Sequence, residues 1–275
     1  MLQYLDTHLK LGASAPFTFI HASDTHLTRA DARDDERKLD LAKSRTLTFP
    51  HAEEGFAALS AMPQDMLITH TGDLLDFVSA ANIDAAREFT SSHDCFFAAG
   101  NHEFSLYVGE AWEDAAYRRQ SFRKVQAAFK NPIRYAMRRV NGVRLVAIDN
   151  GYYLIDPWQL DALEWEVEYG EPIILFMHTP LYAPDLAENE MLIKKNPCAY
   201  LMGAPEELLE TYEPYRRKQQ TPDKTTLDAI RFITTEPMIK AVFTGHLHTN
   251  FTSQVNDRLT QYVTGLDTIR TVTVE

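Results

Sequence analysis

An α/β or layered mixed-sheet fold is predicted by two features of this 275-residue chain: short apolar runs alternate with amphipathic stretches, and several of those runs end abruptly in polar clusters. Early strands are expected at residues 17–23, 66–71 and 95–99, rich in Phe, Ile and Leu. Between and after them, residues 51–62 and 83–91 space their apolar side chains as helices do, with Pro63 as a stop. Residues 115–129 read as a basic amphipathic helix with a solvated face over a core stripe. A β-hairpin is expected over 133–149, because Asn141-Gly142 suits the positive φ angles of a two-residue turn. A helix follows over 157–169 with Asp156 as its cap, then strands at 173–177 and 241–244. The tail, 250–275, reads as successive antiparallel strands with Asn256-Asp257 at one turn, so the chain ends in sheet.

Composition narrows the function classes. With 45% hydrophobic and 24% charged residues, the chain is ordinary globular material, which excludes a disordered tail, a collagen-like fibre or a disulfide scaffold. No apolar run approaches the length of a membrane span, and the first sixteen residues lack the basic-then-apolar pattern of a secretory signal. A cytoplasmic protein is therefore expected, with no membrane partner. Cys95 and Cys198 have no nearby thiol, so both are expected to be packing residues. The net charge of −12 argues against a general nucleic-acid coat, which depends on many Lys and Arg contacts to phosphate.

Five polar motifs follow the expected strands directly: Asp24-Thr25-His26, Gly72-Asp73, Gly100-Asn101-His102-Glu103, His178 and Gly245-His246-Leu247-His248. Open α/β sheets bind ligands beyond the carboxyl ends of their strands, so these motifs are placed to converge. Their mixed carboxylate, amide and imidazole donors suit manganese, iron or zinc. A carboxylate can bridge two ions, and an ion pair about 3.5–4 Å apart clamps the attacking and leaving oxygens of a phosphate-ester hydrolysis.

In this order the five motifs resemble the signature of the calcineurin-like metallophosphoesterases, and they stretch from Asp24 to His248. The resemblance implies a four-layered α/β/β/α sandwich with two mixed β-sheets and a dinuclear metal centre. It implies that Asp24, His26 and His248 hold one metal, that Asn101, His178 and His246 hold the other, and that Asp73 bridges them. A hydroxide between the ions would be the nucleophile. By the same resemblance His102 contacts the phosphate and protonates the leaving oxygen, while Asp76 orients His102. Phe77-Val78 follows Asp76 where protein serine/threonine phosphatases carry Arg-Gly, so a phosphoprotein substrate is disfavoured.

The expected activity is metal-dependent hydrolysis of a small phosphodiester or phosphomonoester, such as a nucleotide. The alternatives are a nuclease and a non-catalytic binding scaffold of the same fold; the motifs fix neither the native metals nor the oligomeric state. One domain is expected over 1–275, with two segments outside the regular alternation. Residues 27–49 are dense in charge (Arg29, Arg33, Arg37, Lys38, Lys43, Arg45) and read as a lid or a charged surface hairpin. Residues 182–221 read as a lid or a solvated connector. As a lid they would bring Lys194, Lys195, Arg216 or Arg217 to a phosphate and Tyr182, Tyr200, Tyr212 or Tyr215 to a base. His21, His51, His70 and His93 are expected to be packing or surface residues. Asp149, Asn150, Tyr152 and Tyr153 are expected to be structural parts of a loop.

Overall fold

The computed structural model describes residues 2–109 and 115–275, so Met1 of the N-terminal stretch lies outside the described residues. Two mixed sheets form the centre. The first has the strand order β1-β11-β2-β3-β4, with β1 Gln3–Leu9, β2 Phe17–Ala22, β3 Leu67–His70, β4 Asp94–Phe97 and β11 Thr268–Val274. The second runs β5-β6-β7-β8-β10-β9, with β5 Tyr135–Val140, β6 Val143–Ile148, β7 Ile173–Met177, β8 Ile239–Thr244, β9 Phe251–Gln254 and β10 Thr260–Val263. β2, β3 and β4 run parallel in one sheet, and β6, β7 and β8 run parallel in the other.

The sheets pack face to face through Phe19, Leu67, Phe96 and Val272 on one side and Leu145, Ile174, Phe176 and Phe243 on the other. Phe19 meets Phe176 and Phe243 edge-on at ring separations of 5.6 and 5.7 Å, geometry that contributes roughly 0.5–1.5 kcal/mol per pair beyond burial. The outer face of the first sheet is covered by α2 (Ala52–Ser60), α3 (Ala80–Ser92) and α4 (Ala115–Gln126), through Phe56, Ile83, Phe89 and Val125. α5 (Pro157–Val167) and α9 (Lys224–Thr235) cover the second through Leu163, Ala229 and Ile233. The result is an α/β/β/α sandwich. Strands buried on both faces have no polar side to show, which is why β3, β6 and β7 are buried at every position.

The hairpin turn forms as expected, with Asn141 at φ 47° and Gly142 at φ 80°. Two expectations are corrected, and one strand is new. β1 was not foreseen; it lies at a sheet edge and pairs in parallel with β11, a partner more than 260 residues away that no local pattern reveals. The tail does not stay in one sheet: β9 and β10 pair antiparallel, but β11 crosses to the first sheet between β1 and β2. Residues 27–49 form no hairpin; α1 (Glu36–Thr48) occupies most of the segment, capped by the Asp35 carboxylate accepting from Lys38 N, and none of its residues is buried.

Candidate metal centre

Every expected ligand lies within a few residues of a strand end. Asp24 and His26 follow β2, Asp73 follows β3, Asn101 and His102 follow β4, His178 follows β7, and His246 and His248 follow β8. Backbone strain is concentrated there: Asp24, His26, Asp73, His246 and His248 all have φ between 51° and 68°, the left-handed region that L-residues avoid. The strain is held by tight turns. A Cβ on Gly245 would strike Ser23 Oγ and Asp24 Oδ2, so only glycine lets the β8 turn close over the β2 turn.

The side chains converge. Among the described residues three overlapping groups, Asp24/His26/His248, His26/Asp73/His102 and Asp73/His178/His246, each bring their ligand atoms within 4.8 Å of one another. His178 Nε2 lies 3.0 Å from His246 Nδ1, 3.1 Å from Asn101 Oδ1 and 3.2 Å from Asp73 Oδ2. His26 Nε2 lies 3.0 Å from His248 Nε2 and 3.7 Å from Asp73 Oδ2. Asp73 thus stands between two imidazole clusters.

Partners behind the rings set their tautomers. His178 Nδ1 donates to Thr71 O at 2.7 Å and His26 Nδ1 donates to Asp76 Oδ1 at 2.9 Å, so each neutral ring turns an Nε2 lone pair inward. Lone pairs facing each other at 3 Å repel unless a positive charge lies between them, and this donor set fits a pair of transition-metal cations. Without a bound cation, the carboxylates draw a proton into that place. Burial depresses His178, but Asp73 and Asp24 outweigh it and push the ring up to about 9. Burial, reinforced by Asp73, raises Asp24 to about 7. His246 and His248 are driven well below the usual histidine range, first by burial.

Backbone ties lock the turns together. Asp24 Oδ2 accepts from His246 N at 2.8 Å, and Asp73 Oδ1 accepts from His102 N at 2.8 Å. Glu103, fully buried, accepts from Asp73 N (2.7 Å), Gly100 N (2.8 Å) and Leu75 N (3.2 Å), which clamps the β3 turn to the β4 turn. Burial and the neighbouring Asp73 push its carboxyl up to about 7.

The model of the calcineurin-like phosphoesterase family matches residues 17–250, most of the chain. The chain belongs to that family. It is a phosphoester hydrolase by membership, and its clustered His and Asp groups are suited to a pair of metals. A comparison with curated proteins gives no match. Among solved structures, similarity extends to a dimetal phosphatase from Danio rerio (13% identity, TM-score 0.48, 90% of this chain and 87% of that one). It also extends to a phosphopantetheinyl hydrolase from Mycobacterium tuberculosis (11%, 0.47, 91% and 90%). A putative 5′-nucleotidase from Staphylococcus aureus matches at 13% and 0.46, over 94% of this chain and 51% of that one. Among the described residues, no helix is long and apolar enough to cross a membrane.

In this calcineurin-like phosphoesterase, Asp76 does more than the motif suggests. Its carboxylate is buried and faces His26, His102 Nδ1 (3.3 Å) and Arg45 of α1, whose Nε and Nη2 donate at 2.6 and 2.8 Å. His102 Nδ1 bonds Asp76 chiefly through the backbone carbonyl, at 2.7 Å. Burial would lower His102, but Asp73 and Asp76 prevail and raise it to about 10. Phe49, at the end of α1, stacks on His26 at 4.0 Å and 6°. The charge-dense segment therefore supports the site through one arginine and one aromatic, and Arg29 and Arg33 pair with surface carboxylates.

Sequence reasoning passed over Tyr153 and Asn150. Tyr153, itself at φ 61°, places its hydroxyl 2.6 Å from His246 Nε2, which leaves Nδ1 to face His178. Asn150 Oδ1 accepts from His178 N and Thr179 N, and its amide donates to Thr179 O. Their signal was visible in kind, a polar cluster directly after a strand, but no motif singled it out. Asp149 is tied to Arg134 and Arg118, and Tyr152 is core. His21 is buried between Thr71 and Thr264 hydroxyls and His70 bonds Thr25, so both pack as expected.

The 182–221 segment folds as α6 (Pro184–Glu188), a π-helical turn (Asn189–Ile193), α7 (Glu206–Leu209) and α8 (Pro214–Gln220). It brings Lys194, Tyr200 and Arg216 into one groove with Asp73, Asn101, His102, His246 and His248. Tyr212 is buried with its hydroxyl on Ala199 N, and Arg217 lies near Glu210 instead.

Proposed function

We propose that the protein is a dinuclear metal-dependent hydrolase of small phosphate esters, carried by the convergence of Asp73 with two imidazole clusters. Asp24, His26 and His248 would hold one ion, Asn101, His178 and His246 the other, with Asp73 shared; manganese, iron and zinc all fit this donor set. Bound there, the ions would supply a water of lowered pKa and polarise the phosphoryl group. His102, partly exposed to the groove, keeps a proton on its ring and delivers it to the leaving oxygen, a general-acid role that contributes about 10²–10⁴-fold. Asp76 holds that ring through its carbonyl and carboxylate and steadies His26 with the same group. Asn150 and Tyr153 fix His178 and His246 from behind. Residues 1–275 are read as one catalytic domain whose segments 27–49 and 182–221 border the site. The part of the groove over the metal centre has a volume near 510 Å³, a size for a small ester, and the net charge of −12 disfavours a nucleic-acid substrate.

The test is hydrolysis of bis-p-nitrophenyl phosphate and p-nitrophenyl phosphate by manganese-reconstituted protein beside a matched His178→Ala preparation. Turnover that disappears in the variant together with bound manganese supports the reading. Equal turnover in both, or none in either, sinks it.

A further inference from the structure

The groove beside the candidate metal centre is forked. One lobe, near 510 Å³, holds Asp73, His246 and His248 of the candidate metal centre and is walled beyond them by Glu190, Lys194, Asn196 and Tyr200. A second, near 520 Å³, is walled by Val108, Gly109, Tyr152 and Tyr215. Asn101, His102 and Arg216 line both lobes, so the fork lies at the general-acid candidate and at one guanidinium.

The charges of the walls differ from that of the junction. Lys194 lies 2.9 Å from the carboxylate of Glu190, which is also bonded by Asn196 Nδ2 at 2.8 Å, so beyond the metal ligands the first lobe carries a matched ion pair and amide donors. Glu190 is buried and sits in the π-helical turn, an irregularity often found at functional sites. Among the described residues the second lobe is lined by aromatic, apolar and amide groups, with no charged side chain of its own beyond the histidine and arginine at the junction. Arg216 bonds Gln219 Oε1 at 2.8 Å and lies over the rings of Tyr200 and Tyr215 at 5.2 and 5.3 Å, with no carboxylate partner among the described residues. A cation resting against two rings at the fork is placed to meet an anion there, while neither lobe demands a second one.

We infer that the groove is built for a phosphodiester, with the phosphate at the junction of Asn101, His102 and Arg216 and one uncharged organic substituent in each lobe. The inference rests on the hydrolase reading above and sharpens its substrate class. Water oxygen bonds to phosphorus and the bond from phosphorus to one ester oxygen breaks. The proton on His102 passes to that oxygen, and the attacking water loses its own to solvent. The products are an alcohol and a phosphomonoester, each leaving by its own lobe.

Two non-hydrolysable monoanions separate a two-armed from a one-armed site: diphenylphosphinate and methylphenylphosphinate, titrated calorimetrically into the manganese-loaded protein. Diphenylphosphinate is expected to bind at least about tenfold more tightly, a difference that reports burial of the second ring. Val108→Trp, which fills the second lobe, should erase that preference and lower the ratio of diester to monoester kcat/KM by about tenfold or more. Tyr215→Ala, which removes a wall of the same lobe, should reduce both quantities several-fold if the tryptophan variant does not fold. Equal or weaker binding of the two-armed probe, or a wild-type preference for the monoester, overturns this inference and leaves the hydrolase reading standing. Absence of turnover on both esters overturns the hydrolase reading and this inference with it.

Discussion

Asp24, Asp73 and His178 sit within three residues of the ends of core strands, buried and tied by backbone hydrogen bonds, whereas Lys194, Tyr200 and Arg216 ride on an inserted string of short helices. Both groups face the same groove. The strand-end turns cannot shift without disturbing the sheets, because their left-handed residues and close glycine contacts admit one geometry. The inserted segment shares part of that constraint, with Lys195 and Tyr200 also left-handed and Ala183, Leu186 and Leu201 fully buried, but its helices lie nearer to solvent. α8 presents six of its seven residues to solvent at least in part, and α1 buries none. The contrast suggests a division of labour: the sheets fix the groups that would hold metal, and the inserted segment sets which ester fits.

The largest expected effect tests the strand-end half. His102→Ala should lower kcat by about 10²–10⁴-fold while both metals stay bound, checked by steady-state kinetics and elemental analysis. Its ring is close enough to His26 and Asp73 to count as a ligand; loss of a metal in the variant would assign it that role instead. Tyr153→Phe removes the hydroxyl behind His246 and should weaken binding of one metal by about tenfold, the lower end of what partners behind a ligand contribute. Competition with a chelator would measure it, and unchanged affinity would mean that the hydroxyl only fills space.

Tyr200→Ala probes the inserted half. Relative rates across a panel of esters should change by roughly threefold to tenfold, with metal content constant, since the ring borders the groove and lies 6.2 Å from His246. Rates scaled equally on every ester would dissolve the proposed division. The smallest effect concerns the core beneath both regions. Burial, with Arg270 and His70 nearby, holds His21 well below its ordinary value of 6.5. Below that pH the unfolded chain takes up a proton that the folded ring refuses, so stability falls as pH drops, by at most about 1.4 kcal/mol per pH unit. His21→Gln should therefore lose less stability than the parent between pH 6.5 and 5. Parallel denaturation midpoints across that range would contradict the burial argument.

The sequence by itself determined the strand-end motifs and their order, because a strand buried on both faces must be a continuous apolar run and the polar residues that follow it stand out. It also determined the hairpin turn, where Asn141-Gly142 carries the needed φ angles locally. It did not determine the place of β1, the crossing of β11 or the roles of Arg45, Phe49, Asn150 and Tyr153. Those depend on partners that lie far away in the chain: Gln3 pairs with Thr268, Arg45 reaches Asp76, and Tyr153 reaches His246. Segment 182–221 could be read as a lid or as a solvated connector with equal warrant from its composition. Only the packed chain brings Lys194 and Arg216 to the groove and turns Tyr212 into the core, since which side of a short helix faces a cavity is decided by the neighbours it packs against and not by its own residues.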